Sequence, residues 1–154
     1  MSTQTLPDLS RRADRVRLSA ALPAVIRMLD AWHLTRGQQA ELLTLSVRTV
    51  QRASQGTAAP ELGADQLTRL SLITGIHTAM HTLYTRTPDD WPKRPNDRYP
   101  FVGRTPLDLM LTSGIPGLLA VRRLLDGDRS GQYSVSPQAR AEAARLPQTD
   151  LDLD

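Results

Sequence analysis

The chain has no cysteine, which excludes disulfides, cysteine-bound zinc and a thiol nucleophile together. Aromatic residues are scarce at 4% of positions, with Phe101 the single phenylalanine. Lysine is nearly missing too: Lys93 stands alone, and the other basic residues are arginines. No apolar run approaches the roughly 20 residues needed to cross a bilayer. The stretch Met1 to Arg17 carries no apolar core of a secretory signal, so a cytoplasmic location with no membrane partner is expected. Period-2 alternation of strand length is also missing, and no internal repeat stands out. The fold class read from this is all-α.

Catalytic signatures are equally absent. There is no Gly-x-Ser-x-Gly elbow, no phosphate-binding P-loop and no Gly-x-Gly-x-x-Gly cradle. His77 and His81 have the four-residue spacing of a two-histidine metal clamp, but no Glu lies between them in the zincin pattern. They are read as polar residues bordering a buried stripe. Neither a metal, a cofactor nor an enzymatic activity is expected.

What is present is 154 residues, enough for one ordinary domain or two small ones sharing a core, and an uneven charge. The net charge is +3. Residues 1–60 hold eight arginines against four acids, whereas residues 132–154 hold two against four. A basic front half suits a polyanion such as DNA, where phosphate contacts supply much of the affinity. An arginine-rich composition alone would give the same bias.

Along the chain, residues 1–19 read as a polar arm or a frayed first helix. Pro23 belongs in the first turn of a helix starting near Leu22, with Val25, Ile26, Leu29 and Trp32 on its buried face. Thr35-x-x-Gln38 is a capping box that opens a short helix through Leu43, and Ser46 caps another. Residues 20–63 thus form one helical region, closed by a loop from Gly56 to Gly63 with Pro60 inside. From a cap at Asp65, Leu67, Leu70, Ile73, Ile76, Met80, Leu83 and Tyr84 make one apolar stripe. Trp91 to Asn96 reads as an irregular, proline-rich connector. Thr105-Pro106-Leu107-Asp108 starts a short helix that Gly114 breaks. Leu107, Met110 and Leu111 should face the core, leaving Arg104, Asp108 and Leu109 nearer the surface. A last core helix is expected from about Pro116 to Asp126, with Gly127 as its C-cap. Residues 64–131 are read as the second region, and 132–154 as an acidic, flexible tail.

The segment from Gln39 to Arg52 has the features of a helix-turn-helix. Ala40 is small enough for two short helices to approach, and Leu43, Leu45 and Val50 close the corner between them. Ser46 leaves the first turn of the second helix free to present Arg48, Thr49, Gln51 and Arg52. Arginine can read guanine bidentately and glutamine can read adenine, so these five residues are the candidate DNA contacts. A helical corner with a solvated polar face is the simpler alternative. Thr44 stands where such a turn usually takes Gly, which requires either another turn geometry or a strained residue.

Further on, Gly103-Arg104-Thr105-Pro106-Leu107-Asp108 and Val121-Arg122-Arg123-Leu124-Leu125-Asp126 occur at a specific separation. With Arg94-Pro95-Asn96 and the helix around Gln66 to Ile76, this part resembles the toxin-binding domain of Xre/MbcA/ParS antitoxins. Together with the helix-turn-helix, the resemblance covers roughly residues 20–131. It implies an antitoxin of a type II toxin–antitoxin pair, with a RES-fold, NAD-consuming toxin as partner. It also implies a homodimer and a complex that represses its own operon. Candidate toxin contacts are Arg104, Asp108, Leu109, Arg122, Arg123 and Tyr133. Arg122 and Arg123 point about 100° apart, so one can pair with Asp108 or Asp126 while the other stays available to a partner. The tail, with Tyr133, Leu146, Leu151 and Leu153, is a candidate cover for the toxin's nucleotide pocket. The competing reading is a free-standing helix-turn-helix regulator whose C-terminal half only dimerises.

Overall fold

Seven α-helices, one 3-10 helix and no strand make up residues 8–134, which are the residues the computed structural model describes. In chain order they are α1 (Arg12–Ser19), α2 (Leu22–Ala31), α3 (Arg36–Leu43) and α4 (Val47–Ser54). The long α5 (Ala64–Leu83) follows, then the 3-10 helix Pro88–Lys93, α6 (Pro106–Ser113) and α7 (Ile115–Ser134). The all-α class predicted from periodicity is what is found.

Local signals set most helix starts. Thr35 and Gln38 form the reciprocal capping box, with Gln38 N–H donating to Thr35 Oγ1 at 3.1 Å and Thr35 N–H to Gln38 Oε1 at 3.0 Å. Ser46 accepts from Thr49 N–H and Thr105 from Asp108 N–H, each as an N-cap. At α5 the cap is Gly63 rather than Asp65. Gln66 Oε1 reaches back to Gly63 N–H at 3.0 Å, and Asp65 instead pairs with Arg69 at 3.0 Å.

The stripe on α5 buries Leu67, Leu70, Ile73, Ile76 and Met80 as expected, and adds Ala79; Leu83 and Tyr84 are half-buried. α2 and α3 cover one part of this helix, while α7 and the 3-10 helix cover the rest. Fully burying one such side chain stabilises by roughly 1.5–3 kcal/mol.

Of the two readings of the N-terminal residues, the helix is the one found over residues 12–19: Leu9 and Leu18 pack on the core and Ser19 Oγ accepts from Leu62 N–H at 2.9 Å. Tertiary contacts account for two departures elsewhere. Trp91 and Pro92, placed by sequence in an irregular connector, lie buried within the 3-10 helix. Trp91 stacks on Tyr84 at 5.8 Å and meets Phe101 edge-on at 5.9 Å, which gathers three of the chain's few aromatics in one place. Finally, α7 does not stop at Asp126. It runs through Gly127 to Ser134, and the turn beyond Gly127 is held by a bidentate pair from Arg98 to Asp128 at 2.9 and 3.1 Å.

Two glycines of α7 therefore play opposite parts. A Cβ on Gly127 would meet nothing within 4 Å, whereas one on Gly117 would lie 2.5 Å from the Leu109 carbonyl oxygen where α6 and α7 touch. Gly127→Ala should stabilise the protein by about 1 kcal/mol, the helix-propensity gain. Gly117→Ala should destabilise it by about 1–3 kcal/mol through overpacking. Urea unfolding checks both, and a destabilised Gly127→Ala would restore the reading of Gly127 as a cap.

Candidate functional site

The corner between α3 and α4 is built as the sequence suggested, with one strained joint. Thr44 takes the left-handed conformation at φ 55° and ψ 41°. A non-glycine residue there costs roughly 1–2 kcal/mol. Hydrogen bonds to neighbours hold it: Gln66 Nε2 donates to the Thr44 carbonyl at 3.1 Å, and Thr44 Oγ1 donates to the Leu43 carbonyl at 2.7 Å and reaches Asp65 at 3.4 Å. Ala40 is buried between the helices, and Leu43 and Val50 are fully buried.

On α4 the five candidates divide. Ser46 and Thr49 are engaged with one another, their hydroxyls 2.9 Å apart, so they shape the first turn. Arg48, Gln51 and Arg52 are exposed, and among the described residues their side chains have no hydrogen-bond or ion-pair partner. Val47 is 44% exposed on the same arc of the helix. Sequence reasoning passed over it because a valine ordinarily signals core, yet an outward apolar side chain here suits a thymine methyl group.

The second surface lies on α6, α7 and the loop before them. Arg104 and Asp108 are exposed, as expected, and so is Arg123. Leu109 is not: it is 7% exposed, which corrects its placement near the surface. α6 is packed against α7 on one side and against the 3-10 helix and α3 on others, so a one-sided helical pattern underestimates how much of it is covered. Leu111 is correspondingly only half-buried.

The adjacent arginines separate cleanly. Arg122 Nε donates to Asp126 at 2.9 Å, and its guanidinium lies against Gly75 of α5, where a Cβ would sit 1.3 Å from it. There it lines an apolar groove of about 740 Å³ that includes Leu9, Leu18, Leu67 and Leu70. Arg123 points away and has no ion-pair partner among the described residues. Bracing thus falls to Arg122 and availability to Arg123. The side chain of Tyr133 and residues 135–154, where the tail reading falls, lie outside the described residues.

Two polar groups that sequence patterns do not reveal fix these surfaces. Gln39 is fully buried and satisfied: its Nε2 donates to Asp30 at 2.7 Å and to the Leu34 carbonyl at 3.1 Å, and its Oε1 accepts from Arg36. Arg69 of α5 donates to Asp65 and, at 3.1 Å, to the Leu42 carbonyl at the end of α3, while Gly114 lies over it. Gln39 ties α3 to the end of α2 and the turn between them, whereas Arg69 reaches 27 residues back in the chain to Leu42.

Against known proteins, two family models match. The antitoxin Xre-like helix-turn-helix domain matches residues 9–75, and the antitoxin Xre/MbcA/ParS C-terminal toxin-binding domain matches residues 85–131. The uncharacterized protein y4oB of Sinorhizobium fredii is 35% identical over 134 residues, covering 84% of this chain and 99% of that protein. No solved structure matches. The corner of α3 and α4 falls inside the first match, and α6 with most of α7 inside the second. The chain belongs to the Xre/MbcA/ParS antitoxins, with an Xre-like helix-turn-helix domain followed by a toxin-binding domain.

Proposed function

We propose that this antitoxin neutralises a RES-fold, NAD-consuming toxin with the surface of α6 and α7, and represses its own operon through α4. The observation that carries the proposal is the coincidence of the toxin-binding match with exposed charge at Arg104, Asp108 and Arg123 that has no ion-pair partner among the described residues. Arginine is favoured at interface hot spots because its planar fork makes several directed hydrogen bonds at once. The antitoxin itself does no chemistry: it binds toxin and operator DNA, works as a homodimer in the cytoplasm and needs no cofactor.

On the toxin side, Arg123 supplies direct contact, with Arg104 and Asp108 beside it in role. Arg122 and Leu109 support that surface from beneath, one through Asp126 and Gly75, the other through the packing of α6 on α7. On the DNA side, Arg48, Gln51 and Arg52 meet bases or phosphates, and Ser46 and Thr49 hold the turn that presents them.

Co-expression with the product of the neighbouring gene tests the first half. Arg123→Glu should weaken the complex by about 2 kcal/mol or more, and so lose growth protection, with helical circular dichroism unchanged. Arg122→Ala should lower thermal stability while keeping more of the affinity. The reverse ranking would move the interface to the groove on α5. A toxic neighbour that this chain binds weakly and fails to neutralise would remove the antitoxin reading of this pair.

Mobility shifts on the upstream operator test the second half. Arg48→Ala and Arg52→Ala should each weaken binding, and each should lower the slope of log K against log salt by about 0.9 if the side chain neutralises one phosphate. Unchanged affinity in both variants would locate DNA binding away from α4.

A further inference from the structure

Beyond its two binding surfaces, the molecule gathers three metal-ligating side chains from separate elements. His77 and His81 stand one turn apart on the same face of α5, and the 3-10 helix that follows brings Asp89 to them. Asp89 Oδ1 is 2.8 Å from His81 Nε2 and 3.9 Å from His77 Nδ1. All three donor atoms lie within 4.8 Å of one another. Donors held at about 2.0–2.2 Å from a tetrahedral ion are about 3.3–3.6 Å apart, so the separations of 2.8 and 3.9 Å bracket the required spacing. Small rotamer adjustments of exposed side chains would close the difference. We propose that His77, His81 and Asp89 bind one divalent transition-metal ion of the zinc class, with water completing the coordination.

The chemistry of the neighbours favours this. Trp32 Nε1–H donates to His77 Nδ1 at 3.1 Å, and an indole nitrogen can only donate. Nδ1 is therefore unprotonated, its lone pair accepting the indole hydrogen bond, and this is the tautomer a metal bound there requires. Ion binding exchanges the indole hydrogen bond for a metal–nitrogen bond, so Trp32 becomes a reporter. The site is reachable from solvent, since the three side chains keep 21%, 42% and 31% of their exposure. Two imidazoles and one carboxylate, with no sulfur, suit Zn²⁺ and its neighbours rather than Ca²⁺ or Mg²⁺.

The sequence carried half of this signal. The four-residue spacing of His77 and His81 was visible, but Asp89 lies past the end of α5, beyond Pro88, and only the turn of the chain there returns it to the helix. An ion at this site would fasten α5 to the start of the toxin-binding region, at residues the proposed toxin and DNA contacts do not use.

Isothermal titration of Zn²⁺ into the untagged, full-length protein, with Co²⁺ absorption as a spectroscopic check, tests the proposal. The expected result is saturable binding of one ion per chain, the visible bands of tetrahedral cobalt, and a change in tryptophan fluorescence that saturates at the same equivalence. His81→Gln and Asp89→Asn should each weaken binding by more than the roughly 10- to 100-fold that losing an outer-shell partner costs. Circular dichroism on the same samples confirms that both variants are folded. Failure of the parent protein to bind Zn²⁺ or Co²⁺, or retention of full affinity by either folded variant, overturns the site.

Discussion

Both halves of this protein depend on the burial of one helix face. Leu67, Leu70, Ile73, Ile76 and Met80 lie along α5, and the helices before and after it in the chain share that surface. The dependence is forced by length. α3, α4 and α6 have eight residues each, whereas isolated helices shorter than about 12–15 residues are marginal in water. The units that present the functional side chains could not hold their shape alone. α5, with 20 residues, is long enough to serve all of them. Arg69 marks the joint, tying the end of α3 to α5 beneath Gly114, where α6 gives way to α7.

What was legible in the sequence was what local chemistry decides. The capping box at Thr35 and Gln38, the caps at Ser46 and Thr105, the proline of α2's first turn and the stripe on α5 each act within a turn or two of helix. Their patterns survive folding unchanged. The unexpected Thr44 was legible too, as a residue needing positive φ, and the structure retains the strain and supports it with Gln66.

The misreadings arose where distant residues decide. Gly127 looked like a helix end because glycine commonly is one, but Arg98, from a loop 30 residues away, grips Asp128 and carries α7 onward. Leu109 looked exposed because the pattern assumed one covered face, and α6 has several. Trp91 and Pro92 looked irregular because proline bars the α-helical ladder, while a short 3-10 turn tolerates it. Arg69 gave no sign of its bond to the Leu42 carbonyl, which only the fold brings to it, and Gln39 gave no sign of its burial, since a polar residue in a short helix ordinarily faces water. Of the toxin-side candidates, the split between Arg122 and Arg123 could be anticipated from helical geometry. Which of them braces and which is available required Gly75 and Asp126.

A consequence for function follows from the division of labour. The exposed arc of α4 and the charged edge of α6 and α7 stand on different elements, joined through α3, which packs on both α4 and α6, and through α5, which packs on α3 and α7. With the proposed contacts, toxin and DNA would be held without competing for the same side chains. Hydrogen exchange on the free chain and on its purified complex with the neighbouring toxin measures this most directly. The expected result is new protection in α6 and α7, with α4 exchanging as it does in the free chain. Protection confined to α3 and α4, with residues 101–131 exchanging unchanged, would contradict the assignment of the toxin-binding surface.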